Sequence, residues 1–182
     1  VIAVDHSGKH LGFAEGRSNF ELHEVDLDKE ESAEQFYKEI ISLKGRIDTA
    51  VFLVGGYMPG GIGQTDGAAL KKMLNLNFGT SYFSVRPVFR HMTNRNYGRI
   101  VLMGAKTALD PAGGKDALAY TLSKSLMFTL ADLLNATAAD KDVRLSVVAP
   151  GALDTPVNRE AMPDATLTKT ETVAEEIWNL VQ

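Results

Sequence analysis

Residues 48–56 read DTAVFLVGG, and this stretch decides the fold of the chain. The run from Val51 to Val54 is continuously apolar, which is typical of a strand buried on both faces of a sheet. The run stops at Gly55 and Gly56, where the backbone is free to turn and to approach a ligand closely. The stretch therefore predicts a parallel sheet that is covered by helices on both sides.

Strands and helices alternate on both sides of this stretch. Further strands are predicted at 1–5, 20–25, 99–103 and 143–148, and helices at 32–45, 66–92, 116–135 and 171–181. In the helix at 116–135, leucines at every fourth position from Leu118 to Leu130, followed by Leu133 or Leu134, predict the buried face. Crossovers of helical length join the strands, so the predicted fold class is α/β with a doubly wound, mainly parallel sheet.

The composition suits one globular domain over residues 1–182, because 45% of the residues are apolar and 23% are charged. A net charge of -4 without a basic cluster predicts no nucleic acid partner and no acidic membrane partner. Cysteine is absent, which excludes disulfides, thiolate metal sites and a cysteine nucleophile, and which fits a reducing compartment. No apolar run approaches the roughly 18 residues that span a bilayer, so we expect a cytoplasmic protein that acts on a small molecule.

Several predicted strands end in residues that suit a ligand site. These strand ends are Asp5, Gly55-Gly56, Gly104-Ala105 and Pro150-Gly151. Parallel strands share one carboxyl edge, where α/β sheets bind ligands, so one site is predicted there. The loop 55–63 holds five glycines, but it completes neither the GxGxxG fingerprint nor a Walker motif.

No metal site is predicted from the histidines. The chain has four of them, His6, His10, His23 and His91. Their spacing is not that of metal ligands, and no carboxylate partner lies in register with them. We therefore expect surface side chains or satisfied core groups.

Tyr120 and Lys124 are the candidate catalytic pair. They lie four residues apart in a predicted helix, which puts the phenol and the ammonium on one face. A nearby ammonium favours the phenolate, so we expect a lowered pKa for Tyr120 and a group that exchanges protons with a substrate. The alternative is a surface lysine one turn from a half-buried tyrosine.

The order and spacing of these features resemble the short-chain dehydrogenase/reductases. The shared features are Asp5, Gly55-Gly56, the strand from Arg99, Tyr120 with Lys124, and Pro150-Gly151 followed by Thr155. Finer details resemble the quinonoid dihydropteridine reductase branch, notably the segments 55–61, 104–110 and 153–163. The resemblance implies a Rossmann-type domain that binds NADH.

The resemblance also implies a role for each site residue. Tyr120 is the proton donor, and Lys124 holds the nicotinamide ribose and biases Tyr120 toward ionisation. Asp5 binds the adenosine ribose and repels a 2′-phosphate, so NADH is preferred over NADPH. The remaining cofactor contacts implied are Asp26 and Leu27 beside the adenine, Gly55 and Gly56 along the ribose and pyrophosphate, the structural Asn77, Pro150, and Thr155 at the carboxamide. A plain turn remains the alternative for Asp26 and Leu27, as does a solvated residue for Asn77.

Ala105 stands where the wider family carries a catalytic serine. In the dihydropteridine reductase branch an alanine belongs to the pattern, because a quinonoid pterin asks less of a carbonyl-orienting hydroxyl. The resemblance therefore implies NADH-dependent transfer of hydride to a quinonoid dihydropterin. The implied substrate contacts are Tyr57, Ala105 and Asn158.

The family pattern also predicts that elements are missing at both ends. Its first strand with the Gly-rich turn, and its last strand, have no counterpart here. The first strand is central in the family's sheet, so its absence predicts a gap with unpaired backbone groups. We expect the natural protein to be longer at both ends.

Two other functions stay open at this stage. One is a short-chain reductase of another carbonyl-like substrate, and the other is a non-catalytic dinucleotide-binding protein. The resemblance further implies a homodimer that pairs through the helices at 66–92 and 116–135.

Overall fold

The computed structural model describes all 182 residues, with five strands and seven α-helices. The strands are β1 (Ile2–Asp5), β2 (Glu21–Glu24), β3 (Thr49–Phe52), β4 (Tyr97–Met103) and β5 (Asp142–Val148). The helices are α1 (Glu30–Lys44), α2 (Gly67–Met73), α3 (Thr80–Arg95), α4 (Pro111–Gly114), α5 (Leu118–Thr137), α6 (Pro156–Ala161) and α7 (Thr170–Val181). Short 3-10 turns cover Gly8–Ala14 and Lys106–Ala108.

Every strand pair is parallel, which confirms the predicted fold class. β1 pairs with β2, and β4 lies between β3 and β5. The two groups are separate hydrogen-bonded sheets, and no ladder joins β1 to β3. The sheet is thus interrupted where the sequence analysis expected a gap. The carboxyl ends of β3, β4 and β5 stay in register and define one edge.

Apolar side chains alternate between two cores on the faces of β4. Ile100 and Leu102 belong to the main core of 18 buried residues, which α1, α3 and α5 cover. Val101 points to the opposite face and packs with Val148 and with Val173 of α7. This alternation follows from the period of two in a strand, and it places helices on both faces.

The buried face of α5 differs from the predicted leucine stripe. Leu122 is 45% exposed and Leu133 is 62% exposed. The buried residues of the helix are instead Ala119, Ser123, Lys124, Met127, Leu130 and Ala131. Small and polar side chains face inward because α5 packs closely on the helical stretch that contains Asn77.

The predicted helix at 66–92 is longer and less regular than expected. α2 and α3 are joined without a break by a π-helical turn over Leu74–Gly79. Pro87 lies inside α3, and Asn96 ends the helix in the left-handed region at φ 60°. The strand after it begins at Tyr97, two residues before the predicted start at 99.

Candidate active site

Lys124 is buried at the carboxyl edge of the three-stranded sheet. Its ammonium donates a 2.8 Å hydrogen bond to the carbonyl of Met103, the last residue of β4. Only 4% of the residue is exposed, and burial lowers the pKa of Lys124 to about 8. Beside its bond to the Met103 carbonyl, the Lys124 ammonium has further N–H donors that can bind a ligand.

Tyr120 lies one helical turn before Lys124 and is half-buried. Burial raises the pKa of its phenol, and the nearby Tyr57 raises it further. The expectation of a lowered pKa for Tyr120 was therefore wrong. Desolvation dominates here, because the ammonium of Lys124 points to the Met103 carbonyl and is itself easily deprotonated.

Asn77 connects the loop after β3 to the helix that carries the pair. It is fully buried within the π-helical turn, a feature often found at functional sites. Its Oδ1 accepts from the Gly56 N–H at 2.7 Å, and its Nδ2 donates to the Gly56 carbonyl at 3.1 Å. The same Nδ2 donates to the Ser123 hydroxyl at 2.8 Å. Asn77 is thus a structural residue and not a solvated one.

Gly55 lies directly beside the side chains of Asn77 and Lys124. A Cβ at this position would stand 2.7 Å from Asn77 Oδ1 and 3.1 Å from Lys124 Nζ. A Cβ at Gly56 would stand 2.7 Å from Leu76 Cδ2. A methyl group at either position would displace a neighbouring side chain, so glycine suits the close packing here, and the exposed Gly55 backbone is open to a ligand beside Lys124.

Hydrogen bonds fix the glycine-rich loop at residues 55–63 at two points. Asn77 binds it at Gly56, and Gly60 exchanges backbone hydrogen bonds of 2.7 and 2.9 Å with Asp116 and Leu118. Gly60 has φ 135°, which only glycine adopts readily. Between these points Tyr57 is 65% exposed, and its ring meets that of Tyr120 edge-on at 5.1 Å between centroids.

The loops after β4 and β5 complete the edge. Ala105 is 3% exposed and follows Gly104, where a Cβ would clash with Val147 at 2.8 Å. The Lys106 N–H donates to the Pro150 carbonyl at 2.9 Å, so the two loops are held together. Ala105 brings a methyl group and no hydroxyl to this edge.

Thr155 and Asn158 organise the loop after β5. The Thr155 hydroxyl caps α6 by accepting from the Asn158 N–H at 3.3 Å. The Asn158 amide donates to the Leu153 carbonyl at 2.8 Å. Both hydrogen bonds join the loop after β5 to the first turn of α6, so these side chains fix the loop against that helix.

Two of the predicted site residues, Asp5 and Asp26, lie at the ends of β1 and β2. Asp5 Oδ1 accepts from the Ser7 N–H at 3.0 Å. Asp26 pairs with Lys29 at 2.9 Å, and this ammonium holds the pKa of Asp26 below its usual value. Leu27 is 7% exposed and packs in the main core, so a ligand can meet only its backbone.

His6 and His10 are surface side chains as expected, but the expectation that the histidines lack a carboxylate partner was wrong for three of the four. His6 and His10 both place Nδ1 against Asp5 Oδ1, at 3.0 and 2.8 Å. His23 places Nε2 2.9 Å from Glu21 Oε1. Each carboxylate partner lies within five residues of its histidine in the sequence. These contacts form in a loop or along one face of a strand, which the spacing rules for helices do not capture.

The sequence comparison with protein families agrees with this geometry. The family model described as short chain dehydrogenase matches residues 3–166. The chain belongs to the short-chain dehydrogenase family. The match includes the edge of the sheet with Gly55, Asn77, Ala105, Tyr120 and Lys124.

Relatives within the short-chain dehydrogenases are distant. Dehydrogenase/reductase SDR family member 6 of Aquarana catesbeiana is 28% identical over 167 residues, covering 90% of this chain and 66% of that protein. Tetrahydroxynaphthalene reductase of Pyricularia oryzae is 27% identical over 145 residues, covering 78% and 50%. The chain thus spans from half to about two thirds of the length of these relatives.

Solved structures of short-chain dehydrogenases share the fold. ElxO with NADP bound superposes with a TM-score of 0.90 at 22% identity, covering 100% of this chain and 81% of that chain. A short-chain type dehydrogenase/reductase from Mycobacterium ulcerans gives 0.89 at 19% identity, covering 100% and 74%. At these identities the likeness establishes the fold alone.

Ser123 is the residue of this short-chain dehydrogenase site that sequence reasoning missed. It is fully buried between Tyr120 and Lys124 in sequence, and it donates to the Tyr120 carbonyl at 2.7 Å while accepting from Asn77. A serine three residues after Tyr120 in a helix was the available signal, since serine hydroxyls bond backward to carbonyls there.

None of the helices has the length and apolar character needed to cross a membrane.

Proposed function

We propose that this protein is an NADH-dependent reductase that transfers hydride to a quinonoid dihydropterin. The observation that carries the proposal is the joint position of Lys124, Tyr120 and Ala105 at one edge of the sheet. The pair supplies a donor of hydrogen bonds and a donor of protons, while Ala105 removes the carbonyl-orienting hydroxyl. A substrate that is already polarised suits such a site best.

The residues present fit a nicotinamide dinucleotide. The absence of a side chain at Gly55 leaves room beside Lys124 Nζ, where a Cβ would be 3.1 Å away. Lys124 would bind the nicotinamide ribose with the N–H donors that Met103 leaves free. Asp5 would accept from the adenosine ribose, and Thr155 would bond the carboxamide. When bound, the dinucleotide supplies the hydride.

Tyr120 would deliver the proton. Its raised pKa keeps the phenol protonated through neutral pH, which is the state that a donor needs. Ser123 and Asn77 fix the helical turn that carries it, because they bind the Tyr120 carbonyl and the Gly56 backbone. The phenol is therefore held against the glycine-rich loop.

The pterin would lie between Tyr57, Tyr120 and Ala105. Tyr57 offers an exposed ring that contacts Tyr120 edge-on, and a flat heterocycle stacks well on such a surface. Ala105 would bring a methyl group and no hydroxyl to that space. Asn158 would take part through the loop that its amide holds in place.

NADH is the cofactor that Asp5 favours, since a carboxylate repels a 2′-phosphate. ElxO, whose fold is shared, binds NADP, so both dinucleotides need to be compared. None of the relatives named above is a dihydropteridine reductase, and the substrate rests on the site residues.

A homodimer through α3 and α5 would cover the apolar surface of these helices. Tyr82 is 41% exposed and stacks on Phe78 at 5.9 Å between ring centroids. Leu122 and Leu133 of α5 are exposed as well. Size-exclusion chromatography with light scattering tests the pairing, and Leu133→Asp is expected to shift the protein to a monomer.

Steady-state oxidation of NADH with quinonoid dihydropterin tests the function. We expect turnover with the pterin and weaker turnover with simple carbonyl compounds. Turnover with carbonyl compounds alone would support the second candidate, a short-chain reductase of another substrate. Tight binding of NADH without turnover on either substrate would contradict the proposal and indicate a non-catalytic protein.

A further inference from the structure

Asp5, His6 and His10 bring three metal-ligating groups together in the loop after β1. One ligand atom from each of the three residues lies within 4.8 Å of the other two. The imidazole of His10 hydrogen-bonds Asp5 Oδ1 at 2.8 Å. His6 Nδ1 is 3.0 Å from the same oxygen. The two rings meet edge-on, with 5.1 Å between centroids and an interplanar angle of 75°.

The separations suit a small divalent cation. Ligand atoms about 2.0–2.2 Å from one tetrahedral zinc ion are about 3.3 Å from one another. The distances from Asp5 Oδ1 to the Nδ1 atoms of His10 and His6 are 2.8 and 3.0 Å, which is close to that spacing. Small side-chain rotations would therefore make room for a cation between the three residues. Two imidazoles and one carboxylate are a ligand set that zinc and its neighbours in the first row prefer, whereas magnesium prefers oxygen.

Two further carboxylates, those of Glu24 and Asp26, lie around this loop, and the Asp26 charge is paired with Lys29. The Glu24 carboxylate lies against Gly8, in the space that a Cβ would occupy. Asp26 lies near enough to His6 for the imidazole charge to lower the pKa of Asp26, after the larger effect of Lys29. Without a cation, the single oxygen of Asp5 faces Ser7 N–H and both imidazoles at once.

We propose that Asp5, His6 and His10 form a binding site for a first-row divalent cation of the zinc type. Three protein ligands leave one position open for water. The imidazoles are 66% and 58% exposed as side chains, so a cation reaches them from solvent. Since Asp5 is also the residue that would bind the adenosine ribose, which rests on the proposed function, the cation and the dinucleotide would compete.

Isothermal titration of the purified chain with Zn²⁺ tests the site. We expect one saturable site per chain, with affinity lowered at least about tenfold in His6→Gln and in His10→Gln. His23→Gln is the matched control, because His23 contacts Glu21 and not Asp5. Mg²⁺ is expected to give no saturable binding. Absence of saturable Zn²⁺ binding, or equal loss in the His23→Gln control, would overturn the proposal.

A second titration separates this proposal from the proposed function. Zn²⁺ at saturation is expected to weaken NADH binding in the wild type and to leave it unchanged in His10→Gln. NADH binding that Zn²⁺ leaves unchanged in the wild type would overturn the competition. If NADH fails to bind without Zn²⁺, the proposed function fails, while the first titration still decides the cation site.

Discussion

The amide of Asn77 donates a 2.8 Å hydrogen bond to the hydroxyl of Ser123, and both side chains are fully buried. This bond joins the π-helical turn between α2 and α3 to the turn of α5 that carries Tyr120 and Lys124. Asn77 also binds both polar groups of the Gly56 backbone. The Asn77 side chain therefore fixes the glycine-rich loop (55–63) relative to the proposed catalytic pair.

Asn77→Ala is expected to destabilise the fold and the site together. The change leaves both polar groups of the Gly56 backbone without their Asn77 partner and removes the donor to the Ser123 hydroxyl, at a cost on the order of 2–3 kcal/mol in the free energy of unfolding. Urea unfolding measures this loss. Asn75→Ala is the control, because Asn75 lies in the same turn but is exposed and binds only Asp28. It should cost less than about 1 kcal/mol, and equal losses would contradict the assigned role.

Gly55→Ala should weaken NADH binding at least about tenfold, because the added methyl group overpacks the site. A tenfold loss of affinity corresponds to about 1.4 kcal/mol. The added methyl group would stand 2.7 Å from Asn77 Oδ1 and would enter the space beside Lys124 Nζ. Fluorescence titration with NADH measures the effect. In Gly63→Ala the methyl group meets nothing within 4 Å, so that variant should bind NADH as the wild type does.

Buried Lys124 should make stability depend on pH. Its pKa of about 8 in the folded chain lies below the ordinary value of 10.5, so the unfolded chain binds more protons between these values. Stability therefore rises with pH, by on the order of 2 kcal/mol between about pH 7.5 and about pH 9.5. The gain is complete above the ordinary pKa.

Lys124→Met should abolish this part of the pH dependence and raise stability at neutral pH, because it removes a desolvated charge. Lys38→Met is the control, since Lys38 is exposed on α1 and shows no such burial. Urea unfolding of the three proteins at both pH values decides the point. An unchanged slope in Lys124→Met would show that another group titrates.

Asp5→Asn should reduce the preference for NADH over NADPH about tenfold in metal-free buffer, equal to about 1.4 kcal/mol. The change removes the charge that would repel the 2′-phosphate and keeps the size of the side chain. The ratio of the two dissociation constants measures it. Asp48→Asn is the control, because Asp48 lies before the amino end of β3, paired with Arg46, and this variant should leave the ratio unchanged.

The strands and their ligand edge could be predicted from sequence because buried parallel strands are short apolar runs with abrupt ends. Residues 51–54 and the glycines after them illustrate this, since period and composition alone mark them. The gap between β1 and β3 followed from the order of family strands. The position of Tyr120 one turn before Lys124 in α5 followed from helical spacing, while their catalytic role stays a prediction.

Other features depend on tertiary packing that spacing does not encode. The leucines of α5 repeat regularly, yet Leu122 is exposed because the close approach of Asn77 selects Ser123 and Ala119 for the inner face. The pKa of Tyr120 depends on how deeply the phenol is buried, which its sequence neighbours do not reveal. The contact of His10 with Asp5 depends on the path of one loop.

The rate of NADH oxidation with quinonoid dihydropterin in Tyr120→Phe tests the central claim most directly, with Tyr57→Phe as the matched control. Both variants keep the aromatic rings that meet edge-on at 5.1 Å and lose one hydroxyl each. We predict that kcat falls at least about a hundredfold in Tyr120→Phe and less than about tenfold in Tyr57→Phe. Full activity in Tyr120→Phe would contradict the assignment of Tyr120 as the proton donor.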